Sequence, residues 1–170
     1  GTFIMGCRDD GDDGIYGESE ERPRHDVTLG FYEIGIGEVT TRQYCDVLNW
    51  ALEKGYLRDS NGFGEWEPPD DIYVGVWPMQ EPIVAFSSVY CNIHYANGKF
   101  SPKMRQGLLG STAYSMAEHP MLCVSWYGAV AFCNWLSQME GLVPCYNDQL
   151  LGNWTLDMAP PAPRGYRLPT

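Results

Sequence analysis

Residues 1–6, GTFIMG, make a short apolar, β-prone run, and the polar, glycine-rich CRDDGDDGIYGESEERPRH behind them keeps no regular period. A strand and then a loop are expected. DVTLGFYEIGIGEV, residues 26–39, alternates apolar and polar side chains in the manner of half-buried strands and predicts a strand pair. The period then changes. Tyr44, Val47, Leu48, Ala51 and Leu52 recur at three- and four-residue steps, which predicts a helix capped by Thr40 or Thr41 and stopped at Gly55.

From Leu57 to Gly110 turn residues interrupt the pattern every few positions, so ordered loops and short strands are expected there. EPIVAFSSVYCNIHYA, residues 81–96, is the exception and admits either strand or helix. A second helix is predicted after Ser125, with Trp126, Ala129, Phe132, Cys133, Leu136 and Met139 on one apolar face and Gly141 as its stop. The rest is rich in loops and proline. Aromatic residues at 14%, with 19 glycines and 12 prolines, describe long irregular connections pinned by large flat side chains. The fold class is therefore α+β, rich in loops, with two main helices.

A chain of 170 residues that is 44% hydrophobic supports one domain, or part of one, with a core of its own. No apolar run reaches the roughly 18 residues of a spanning helix, so no membrane span is expected. The net charge of −11 repels phosphate backbones, which makes nucleic acid a poor partner. Much of it lies in Asp9 to Glu21 and Glu65 to Asp71, as solvated acidic loops. Six cysteines, none in a C-x-x-C pair, point to an extracytoplasmic site and away from a zinc knuckle or thioredoxin-type motif. Their pairing stays open, and Cys45 and Cys133, among apolar neighbours, also read as buried free thiols.

Candidate chemistry is sparse. Asp9, Asp13, Gly14 and Glu20 fall on positions of a calcium loop, but Gly11 stands where an oxygen ligand is needed and no helices flank it. His25, His94 and His119 are too scattered to share a metal, and each reads better as a structural histidine. Ser125 lacks the glycine of a nucleophile elbow and reads as a helix cap. Asn153-Trp154-Thr155 is a glycosylation triplet of the kind that arises by chance. Among the tryptophans, Trp126 and Trp135 are expected in the core, and Trp66 and Trp77 are candidates for a carbohydrate or peptide groove. Catalytic, cofactor-binding and metal-ligating residues are assigned to none of these positions.

GTFIMG, EERPRHDVTLGFYEIGIGEVTTRQYCDVL, HPMLCVSWYGAVAFCNWLSQMEG and GYRLPT, taken in this order, resemble the successive motifs of the formylglycine-generating enzyme, or sulfatase-modifying factor, family. The resemblance implies a C-type-lectin-like fold and, in archetypal members, copper-dependent oxidation of a target-protein cysteine to formylglycine. The alternative is a noncatalytic lectin-like binding or assembly module. In that family the RLPT phrase leads into a further helix, so the resemblance implies that residues 1–170 are the N-terminal part of a single domain, with an insertion at about 57–110. Copper and structural calcium are then expected in the C-terminal half and not here. The same resemblance makes Cys133 a structural disulfide candidate whose partner lies in that half. Its expected partners are the C-terminal half itself, as a second fragment or a neighbouring chain, and a polypeptide substrate.

Overall fold

The computed structural model describes residues 1–8, 16–59, 72–74, 81–107, 111–147, 155–156 and 164–169, in two compact units divided after Ile36. The first unit is a ribbon. β1 (Thr2–Met5) pairs antiparallel with β2 (His25–Thr28), Thr2 opposite Thr28 and Met5 opposite His25, and the two threonine hydroxyls meet at 2.8 Å. A 3₁₀ turn at Ser19–Glu21 closes the loop, where Glu21 O accepts from Cys7 N at 3.0 Å and Arg22 Nε donates to Cys7 Sγ at 3.4 Å. Only one strand forms from the expected pair. Phe31, Tyr32, Ile34 and Ile36 are exposed and outside any strand, because an alternating segment needs a partner ladder and no neighbouring strand supplies one among the described residues.

The second unit carries the core. α1 (Thr41–Glu53) starts on a reciprocal capping box in which Thr40 Oγ1 accepts from Gln43 N and Gln43 Oε1 accepts from Thr40 N at 2.9 Å. It buries Tyr44, Val47, Leu48 and Ala51, as the three- and four-residue steps predict, and Cys45 beside them, while the expected Leu52 is half-buried and Gly55 follows at φ +72°. α2 (Trp126–Met139) starts on Ser125, whose Oγ accepts from Gly128 N at 3.1 Å.

Among the described residues, seven short strands lie between the helices. β3 (Arg58–Asp59), β4 (Ile72–Val74) and β5 (Glu81–Val84) form one antiparallel sheet, β6 (Ile93–Ala96) pairs with β7 (Lys99–Pro102), and β8 (Met104–Arg105) with β9 (Tyr114–Ser115). The ambiguous 81–96 segment is thus two strands joined by turns. β10 (Tyr146–Asn147) and β11 (Thr155–Leu156) make a last hairpin. α1 packs on β7, α2 on β5, and the helices on each other, around Leu48, Ile83, Ile93, Phe100, Val130 and Trp135.

One asparagine ties each helix to a strand, half-buried on α1 and fully buried on α2. Asn49 Nδ2 donates to Phe100 O at 2.9 Å while its Oδ1 accepts from Phe100 N at 2.8 Å. Asn134, fully buried on α2, does the same to Tyr146, at 2.8 and 3.1 Å. Each side chain completes a backbone donor and a backbone acceptor together, as the backbone of a neighbouring strand would.

The apolar face of α2 differs from the one expected. Trp126 and Met139 are 52% and 40% exposed, whereas Gly128, Val130, Ala131, Asn134, Trp135 and Ser137 are buried with Phe132 and Cys133. Trp126 therefore lies outside the core and Trp135 inside it. The helix is apolar around most of its circumference, so periodicity alone could not choose the buried side. Gly128 marks that side: a Cβ there would fall on the Ile83 carbonyl, which also accepts from Ser125 N at 3.2 Å.

Candidate functional site

The polar groups of the GYRLP phrase are stitched to α2 and β10. Ser137 Oγ donates to Cys133 O at 2.7 Å and accepts from Tyr166 N at 2.8 Å. Tyr166 OH donates to Glu140 Oε2 at 2.8 Å, and Tyr146 OH accepts from Leu168 N at 2.9 Å. Cys145 Sγ donates to Gly165 O at 3.1 Å. Cys133 and Cys145 are both buried beside this seam.

The six cysteines are thiols in the structure. Three of them, Cys133, Cys91 and Cys45, act electrostatically on the phenol of Tyr44, whose ring stacks on Phe132 at 5.3 Å and whose hydroxyl donates to Gly128 O at 3.2 Å. Burial first, then those thiols, pushes the Tyr44 phenol far above its ordinary range. Burial likewise pushes Cys45 up to about 12, with Asp46 and Cys91 adding to it, and Cys133 up to about 11, with Cys145 adding. Cys91 is also raised by burial, against the Ile93 amide and the Lys103 cation, which favour its thiolate. Cys45 and Cys133, held protonated with no cation against them among the described residues, are poor nucleophiles and poor metal ligands.

The remaining candidates fall apart spatially. His25 sits exposed on β2 with Nδ1 at 2.7 Å from Pro23 O, and His94 is exposed on β6. His119 serves through its backbone: its carbonyl accepts from Thr41 N at 2.8 Å and from Thr41 Oγ1 at 3.1 Å at the start of α1, while its ring lies 5.7 Å from that of Tyr114. Ser125 is a helix cap, as read from sequence. Glu20 is exposed and accepts from Ser19 Oγ, whereas Asp9, Asp13 and Gly14 of the possible calcium loop lie outside the described residues. Trp66, Trp77 and, of the glycosylation triplet, Asn153 and Trp154 lie outside them too, while Thr155 opens β11.

Copper and calcium do not fit what is described. Copper(I) wants accessible thiolates, and Cys45 and Cys133 are buried and held protonated. Calcium wants a cage of oxygens, and among the described residues no three His, Cys, Asp or Glu side chains converge on one point. No step of chemistry is derived through either ion. Among the described residues no helix is long and apolar enough to cross a membrane.

Sequence reasoning missed the two asparagine clips and the electrostatic coupling of Tyr44 to Cys45, Cys91 and Cys133. Asn134 gives no signal within its own helix, since its partner is a backbone beyond the helix end. The cysteines gave a signal in number and not in position.

Comparison with protein families matches residues 1–170 to the family described as sulfatase-modifying factor enzyme 1-like domain. Comparison with curated proteins and with solved structures gives no match.

Proposed function

The chain belongs to the sulfatase-modifying factor, or formylglycine-generating enzyme, family, and from that membership we propose that it is part of a copper-dependent oxidase that converts a cysteine of a target polypeptide to formylglycine. The observation that carries this reading is the family match along residues 1–170. The residues described here supply scaffold: two capped helices, small antiparallel sheets and a buried core, which in this reading are part of a C-type-lectin-like domain. The copper-binding thiols and the calcium ligands belong to further polypeptide, the C-terminal half of the same domain, packed against this one as a continuation or a second fragment. The number of cysteines suits an extracytoplasmic site.

Copper, held by that further polypeptide, would supply the activation of oxygen. The part of these residues is to hold α2 and the Arg164–Pro169 segment in fixed relation, through Ser137, Tyr146 and Tyr166, so that whatever follows is presented in one orientation.

The test is incubation of the full-length protein with copper, oxygen and a cysteine peptide of the sulfatase type. Conversion of that cysteine to formylglycine by mass is the expected result. Absence of conversion with copper demonstrably bound would overturn the oxidase reading and favour a noncatalytic lectin-like module. The observation on the side of that second reading is the run of short hairpins between the helices, where Val89, Tyr90 and Met104 are 77%, 70% and 63% exposed and offer a surface to a partner.

A further inference from the structure

Cys91 and Cys123 belong to segments that run side by side. Val84 and Val124 form an isolated antiparallel bridge, Cys123 O accepts from Ala85 N at 3.0 Å, and Ser125 N donates to Ile83 O at 3.2 Å. The chain leaving Ala85 makes a tight turn held by Ser88, whose amide donates to Ala85 O at 3.2 Å and whose carbonyl accepts from Cys91 N at 3.0 Å. Across the gap, Cys123 Sγ lies 3.4 Å from the Ser88 hydroxyl. One serine therefore touches both cysteines, the first through its backbone and the second through its side chain.

Both cysteine backbones are fixed. Cys91 O accepts from Lys103 Nζ at 2.9 Å, and Asn92, the next residue, accepts from Arg105 Nε at 2.9 Å and from Lys103 N at 2.7 Å. Cys123 is held at φ +63°, a left-handed conformation that a side chain other than glycine's adopts at a cost and keeps only where its surroundings demand it. The two thiols differ in access: Cys91 is fully buried and Cys123 half-exposed.

We propose that Cys123 and Cys91 are a thiol pair that closes into a disulfide, with the half-exposed Cys123 as the point of entry and the buried Cys91 as the resolving thiol. The oxidant is a small disulfide such as oxidised glutathione. The Cys123 thiolate, its proton released to water, attacks one sulfur of that disulfide, breaks its S–S bond and expels one glutathione thiolate. The Cys91 thiolate then attacks the Cys123 sulfur and expels the second. Two protein thiols lose two electrons and two protons, and one small disulfide is reduced to two thiols. Lys103 and Arg105 sit where they stabilise the Cys91 thiolate as it forms, against the burial that opposes it.

Cys45 is the competing partner, because it too lies in the electrostatic reach of Cys91. It sits on the buried face of α1, and burial holds its thiol protonated, so a solute reaches Cys123 first. The proposal rests on neither the oxidase reading nor the module reading of the previous section.

The full chain is equilibrated with a glutathione redox buffer, quenched by alkylation, and mapped by mass without reduction. The expected product has lost two hydrogens and yields one cross-linked peptide pair containing Cys91 and Cys123. In Cys91→Ser a glutathionyl group should stay on Cys123, its lifetime extended at least about tenfold, since no resolving thiol displaces it. In Cys123→Ser, Cys91 should remain a thiol. Should Cys91→Ser fail to fold, the wild-type map and the Cys123→Ser map still decide. A cross-link from Cys123 to Cys45 or any other cysteine, a stable glutathionyl group on wild-type Cys123, or no change at all in the wild-type protein overturns the pair.

Discussion

Asn134 reaches across from α2 to hold both backbone groups of Tyr146, and it does so with no exposure to water. Asn134→Ala leaves a buried donor and a buried acceptor unmet and should cost roughly 3 kcal/mol, read as a fall in the urea midpoint with unchanged slope. Asn134→Asp keeps the shape and loses the donor, and should also destabilise. Thr40→Ala removes the hydroxyl half of the α1 capping box and should cost about 1 kcal/mol in the same measurement. Thr40 and Ser125 were legible because a cap is a local event, settled within a turn of the helix it starts. Asn134 and the pairing of Cys91 with Cys123 were not, because their partners stand far along the chain or on another element, and composition carries no distance.

Helix α2 shows where a periodic reading gives out. Its boundaries and both its stop and start signals could be read, yet its buried side could not, since apolar residues surround it and contact with β5 and α1 selects Gly128, Ala131 and Trp135 for the interior. Gly128→Ala should therefore destabilise by about 2 kcal/mol or more, because the added methyl meets the Ile83 carbonyl, which is backbone and does not yield. Trp126→Ala, on the same helix but half-exposed, should cost much less, and comparing the two thermal midpoints tests the assignment of the face. The alternation at residues 31–36 misled for a different reason. A period of two announces a capacity to pair, and the pairing itself depends on what lies alongside.

For the molecule as a whole, the thiols set the alkaline limit. In the unfolded chain Cys45 and Cys133 give up their protons near 9.0, and in the folded chain only near about 12 and about 11. Between those values the folded protein binds more protons than the unfolded one, so this contribution to stability is intact below the lower value and is lost as pH rises. The urea midpoint should fall from about pH 9 upward, and Cys45→Ala should flatten that slope even if it lowers the starting value. A slope unchanged by the substitution would place the alkaline loss elsewhere.

The asparagine clips have a consequence of another kind. Asn49 and Asn134 carry no charge, and they fasten α1 to β7 and α2 to β10, while the ion pair between Arg42 and Glu118 is out on the surface, where dissolved ions dull it. Mobile ions have little purchase on neutral amides, half-buried at Asn49 and sealed in the interior at Asn134. A protein fastened this way keeps its helices seated on their strands in dilute buffer and in brine alike.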